Sequence, residues 1–272
     1  MNDFIHLNTK SDYSLSEGAL TIQKIADLCA DNNMPAIAVT DNNNLFGALE
    51  FSETISKAGI QPIIGAKIRI KTPNQYVIDP ENDSNNYFCI NLLSKNDRGY
   101  ENLLFLNSIS YTRHSSDNAF ITLEQLFTHK EGLILLTGGY ENIFNNLLFH
   151  NKYDWANSLL NNIKDEFNSN MYIEIQRIGD PVQIQSEKLL LKLSYQNEIP
   201  LVATNEVCFE NPDYYNAHEA LLCIDKKEYL SQANRQKFPK ETYFKSSEEM
   251  LETFIDLPEA IQNTIEIAKR CS

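Results

Sequence analysis

Apolar positions along this chain follow two alternating rhythms. Ile22, Ile25, Ala26 and Cys29 recur at i, i+3, i+4 and i+7, which marks one face of a helix. Met34 and Pro35 close that helix, and the apolar run that follows predicts a strand over 36–40. The pattern then predicts a helix over 45–58 ended by Gly59, a strand through Ile63, Ile64 and 68–70, a strand over 87–93 and a helix over 100–109. Beyond a strand at 132–136 and a turn at Gly138-Gly139, helices are predicted at 143–149, 155–167, 182–195 and 214–224, with strands at 172–175 and 200–204. Residues 4–7 form a further strand candidate, and 247–271 is strongly helical apart from a break near Pro258. Six or more β-then-α units, mostly without hairpin signals, imply an α/β protein with a parallel sheet and helical crossovers.

Two architectures satisfy that order, an open doubly wound sheet and a closed barrel. No glycine-rich phosphate loop follows the first strand, which weakens the open sheet. Polar residues gather at the predicted C-terminal strand ends: Asn8 and Lys10, Thr40-Asp41-Asn42, Lys67, and Asn205-Glu206. Barrels build their sites at those ends, so the clustering favours the barrel. Residues 71–86 and 225–245 lack a period and read as loops or a small insertion in one domain over 1–272.

The chain is 42% hydrophobic and 22% charged, the balance of a globular protein. Its net charge of −14 opposes general affinity for nucleic acid and favours a non-DNA partner. Arg235, Lys237 and Lys240 approach a basic patch but read as a solvated loop. No basic-then-apolar N-terminus and no apolar run of about 18 residues is present, so a cytoplasmic location is expected, with no membrane contact. The five cysteines are odd in number, widely spaced and without a C-x-x-C pair, which predicts free thiols.

Several segments together resemble one family. FIHLNTKSDYSLSEGA (4–19), MPAIAVTDNNNLFGALEF (34–51), GIQPIIGAKIRI (59–70), KNDRGYENL (95–103), EGLILLTGG (131–139), LVATNEVCF (201–209), AHEALLCI (217–224) and SSEEMLETFIDLPEAIQNTIEIAKRC (246–271) are similar, in order and spacing, to the N-terminal PHP domain of bacterial DNA polymerase III alpha subunits. The resemblance implies a distorted TIM-like β/α barrel of about seven units. Active members hold divalent metals at the strand ends and hydrolyse phosphoesters, in some polymerases as a 3′–5′ exonuclease. In others the domain is structural and docks the epsilon exonuclease subunit. The polymerase palm, with its own metals, would follow near residue 270, so the expected partners are that palm and epsilon.

Residue by residue, the family's ligands are largely replaced. The His-x-His pair of the first strand corresponds to Asn8 and Lys10, the following Asp-Gly to Glu17-Gly18, and Asp-His to Asp41-Asn42. An acidic position corresponds to Lys67, a histidine to Cys89, and Asn-Asp-x-His to Asn205-Glu206-Val207-Cys208. Three carboxylates remain, Glu17, Asp41 and Glu206. Two readings stand: a single zinc on Cys89, Cys208 and Asp41, or a cavity without metal or other cofactor, which Lys10 and Lys67 favour by their charge. In the second, a lysine ammonium is expected within salt-bridge distance of Asp41 or Glu206. His6 reads as a buried strand histidine and His218 as a core or capping histidine. His114, His129 and His150 read as solvated.

Overall fold

The computed structural model describes residues 4–79, 81, 86–112, 119–232, 235 and 237–271. His114 lies outside these. Among the described residues six strands form one sheet in sequence order: β1 (Ala36–Asn42), β2 (Gln61–Lys71), β3 (Tyr87–Ser94), β4 (Leu133–Leu136), β5 (Met171–Ile175) and β6 (Leu201–Ala203). Around them run α1 (Ile22–Asp31), α2 (Ala48–Lys57), α3 (Asp97–Thr112), α4 (Leu123–Thr128), α5 (Ile143–Phe149), α6 (Tyr153–Phe167), α7 (Pro181–Gln196), α8 (Tyr215–Lys226), α9 (Ser247–Thr253) and α10 (Pro258–Arg270). Among the described residues, no helix is long and apolar enough to cross a membrane.

The expected all-parallel sheet needs one correction. β3 runs antiparallel to both β2 and β4, whereas the β1–β2, β4–β5 and β5–β6 pairs are parallel. Among the described residues, the connection from β2 to β3 holds only a short 3-10 turn, Asn74–Tyr76. A parallel return is usually made by a helix packed across the sheet; the described residues of 72–86 contain no α-helix, and the chain re-enters the sheet from the end it left. Helix α4 was also not anticipated. Thr122 and Gln125 form a capping box that starts it, each side chain bonding the other's backbone N–H.

Residues 4–10 make no regular ladder and hold one isolated bridge, at Thr9, so the strand expected at 4–7 is not formed as such, although the segment runs beside β1. The amide of Ala38 donates to His6 O at 2.9 Å and that of Thr40 to Thr9 O at 2.8 Å. On the other side Lys10 N donates to Val207 O at 2.9 Å and Val207 N to Asn8 O at 3.0 Å. The first segment thus sits between β1 and the stretch after β6, and the six strands plus this segment curl into a seven-membered, distorted barrel.

Side chains divide the ring's interior by height. Ile5, Leu7, Ala36, Ala38, Ile63, Leu93, Ile134, Leu136 and Val202 form one buried cluster, joined by Ile267, Ala268 and Cys271 from the end of α10. Strand side chains alternate in direction, so two residues further along the same inward rows stand Thr40, Asn91 and Thr204, and Lys67 lies four beyond Ile63. One end of the barrel is therefore apolar and plugged by α10, and the other is polar. A second, larger cluster, including Ile25, Phe51, Ile68, Leu103 and Phe144, fills the space between sheet and helices.

Candidate functional site at the polar end of the ring

Glu206 is the centre of the polar end. Its side chain is fully buried, and one oxygen, Oε1, faces both Lys67 Nζ at 2.8 Å and Lys10 Nζ at 3.3 Å. Lys67, at the top of β2, also contacts Glu141 Oε2 at 2.6 Å and lies 5.3 Å from the Tyr140 ring centre. Burial opposes charge on Lys67, but Glu141 and Glu206 outweigh it and hold the ammonium well above its ordinary pKa. Burial likewise works against the Glu141 carboxylate, yet Lys67 chiefly, with Lys10 and Arg69, draws its pKa down to about 2. The second Glu206 oxygen, Oε2, is buried and has no hydrogen-bond partner among the described residues.

Lys10 Nζ also donates to Asn42 Oδ1. Asn42 Nδ2 in turn donates to Glu17 Oε2 at 2.6 Å. Five of the residues singled out in the sequence, Lys10, Glu17, Asn42, Lys67 and Glu206, therefore meet in one chain of polar contacts. The expected lysine contact is found at Glu206. Asp41 is occupied differently: it accepts from Ser11 N at 2.8 Å, Ser11 Oγ at 2.7 Å and Ser14 Oγ at 2.6 Å. It anchors the loop between the first segment and α1.

Asn8 belongs to a neighbouring network around Glu174. This buried carboxyl, on β5, accepts from Asn8 Nδ2 at 3.1 Å, Asn91 Nδ2 at 2.9 Å, Gln176 Nε2 at 3.1 Å and Thr204 Oγ1 at 2.5 Å. Burial raises its pKa, and the hydrogen bonds offset part of that rise. Glu174 and Glu141 were both missed in the sequence. Glu174 carried a signal, a lone charge in the apolar strand MYIEI; Glu141 follows the Gly138-Gly139 turn and carried none.

The thiols do not join the carboxylates. Burial, aided by Glu141, pushes Cys89 up to about 12, and burial raises Cys208 well above its ordinary value. Among the described residues no group of three His, Cys, Asp or Glu side chains is placed to hold a metal ion, so Cys89, Cys208 and Asp41 do not form one. His6 is buried between Phe4 and Phe244, with Nε2 2.8 Å from Lys245 O. His218 lies on α8 with Nε2 2.7 Å from Glu17 O, packed on Phe209. His129 stacks on Phe105 with ring centres 4.2 Å apart rather than standing free in solvent, and His150 Nδ1 lies 2.9 Å from Asn146 O. Arg235 does not extend a basic patch: it pairs with the buried Glu219.

A barrel of α/β units with its polar side chains at one mouth defines the class. The chain belongs to the PHP domain family, whose model matches residues 6–178. Over 99% of its length it is 40% identical to the DNA polymerase III subunit alpha of Caulobacter vibrioides, 38% to that of Rickettsia bellii and 33% to that of Haemophilus influenzae. The chain spans only 22–23% of the length of these relatives.

Proposed function

We propose that the chain is the N-terminal PHP domain of a DNA polymerase III alpha subunit and serves there as a structural and partner-docking module, without phosphoesterase activity of its own. The observation that carries this reading is the pair of ammonium groups, Lys10 and Lys67, seated on buried Glu206. A divalent cation needs deprotonated donors with free lone pairs. Here the Glu206 oxygen that faces the cluster is taken by two cations, the Asp41 oxygens are taken by serines, and the thiols are held protonated. A dication at Glu206 would sit within a few ångströms of two positive charges in a poorly screened interior. The donor set does not fit a catalytic metal, and no water-activating step is assigned to it.

The test is elemental analysis of the protein purified without chelator, with a single-stranded DNA exonuclease assay in added manganese. The expected result is no stoichiometric zinc, manganese or iron and no activity above background. Near-unit metal content with nuclease activity that rises and falls with it overturns the reading. The partner half of the proposal, docking of the polymerase palm and the epsilon exonuclease, is tested by pull-down with the cognate epsilon; a folded domain that fails to capture it removes that partner.

A further inference from the structure

We infer that Lys10, Glu206 and Lys67 form an electrostatic latch across the seam of the barrel, closing the ring without a divalent cation. The seam is where the first segment meets the stretch after β6, and its backbone pairing is slight. One bridge, Thr9 with Val207, and the hydrogen bonds Lys10 N to Val207 O and Val207 N to Asn8 O join the two sides. The β1–β2 ladder, by contrast, pairs every residue from Ala36 to Asn42. Side chains make up the difference at the seam.

Lys10 stands on one side of the seam and Glu206 on the other, 3.3 Å apart and both fully buried. Lys67 reaches Glu206 from β2, and Glu141 holds Lys67 from the loop after β4. Four separate segments thus end on one string of alternating charges. Among the described residues Glu206 Oε2 has no hydrogen-bond partner, and the cations paired with this buried carboxylate are Lys10 and Lys67. Removing one member leaves its neighbours short of a counter-charge in the interior, Glu206 with Lys10 alone when Lys67 is withdrawn, which costs more than removing both partners together. The latch shares with the function proposed above the metal-free reading of Glu206, but it requires neither a polymerase nor a docking partner.

The experiment is a double-mutant cycle on Lys67→Met and Glu206→Gln, with urea unfolding as one readout and hydrogen exchange of the Lys10 and Val207 amides as the other. Each single variant should lower the unfolding midpoint, and the double variant should fall by less than the sum. The two seam amides should exchange at least about tenfold faster in Lys67→Met, while amides of the β1–β2 ladder change little. The wild-type midpoint should be the same with EDTA and with added zinc or manganese. If Glu206→Gln does not fold, the cycle is run with Glu141→Gln, at the half-exposed rim, and the same non-additivity is expected. Additive losses, seam amides that exchange no faster, or a wild-type midpoint that rises with metal and falls with EDTA would each overturn the latch.

Discussion

Asp41→Ala should destabilise the protein to the same extent with and without metal. Three donors converge on this buried carboxylate, the backbone amide and hydroxyl of Ser11 and the hydroxyl of Ser14. Hydrogen bonds to a charged group contribute about 1.5–3 kcal/mol each, and they do not simply add. The hydroxyls have other roles that limit their relaxation: Tyr13 N donates to Ser11 Oγ at 3.2 Å and Asn42 N to Ser14 Oγ at 3.1 Å. Alanine leaves the Ser11 amide buried without an acceptor and frees both serines. A loss of about 3–4 kcal/mol follows, which lowers the thermal midpoint by roughly 6–16 °C for a domain of this size. The assay is urea and thermal unfolding followed by the fluorescence of the single tryptophan, Trp155, in EDTA and again in manganese. A loss below about 1 kcal/mol would show that the loop is held elsewhere. A loss seen only in manganese would show that Asp41 acts as a ligand, and the anchoring argument fails.

Two further outcomes are expected. Burial lowers the pKa of His6 from 6.5 to about 4, so the folded protein holds it neutral. The corresponding stability, about 3 kcal/mol, is complete above pH 6.5 and is lost as the pH falls towards 4, because the unfolded chain takes up the proton first. Urea midpoints of wild type and His6→Phe across that window check this, with a shallower slope expected in the variant; parallel slopes sink it. Gly99→Ala should cost more than about 2 kcal/mol, because a Cβ there would lie 2.0 Å from the carbonyl oxygen of Gly132. Unfolding midpoints decide it, and a neutral substitution would contradict the close approach of α3 to the start of β4.

Much of the fold was legible because periodicity reports which face of an element is buried. The helices α1, α5 and α7 fall where their apolar residues place them. The direction of β3 was not legible: the alternation of a strand reads the same whichever way it runs, and 72–86 has no hairpin signature. Helix α4 has only six residues, too few to show a period, although Thr122 and Gln125 signalled its start. In the site, strand ends brought Lys10, Lys67 and Glu206 to one place, as barrel geometry requires. The sequence could not say which anion each lysine would meet. Asp41 is satisfied by two serines three residues apart and about 30 residues away in sequence, Ser11 through both its amide and its hydroxyl and Ser14 through its hydroxyl alone. Glu141 entered from a loop, where no period assigns a direction to a side chain.

The seam also sets an order of events during synthesis. Lys10 emerges before Glu206 and Val207, which follow about 200 residues later. At the usual rate of about 5–20 residues per second, the first segment waits roughly 10–40 s for its partner on that side. Through that interval β1 has a neighbour in 4–10, but the far edge of that segment offers unpaired amides and carbonyls to any other strand. Closure is thus a late contact between the two most distant parts of the ring, the kind of pairing that slows folding. A nascent chain that stalls before residue 206 should be an open, adhesive sheet, and one that passes it should become a closed ring in a single step.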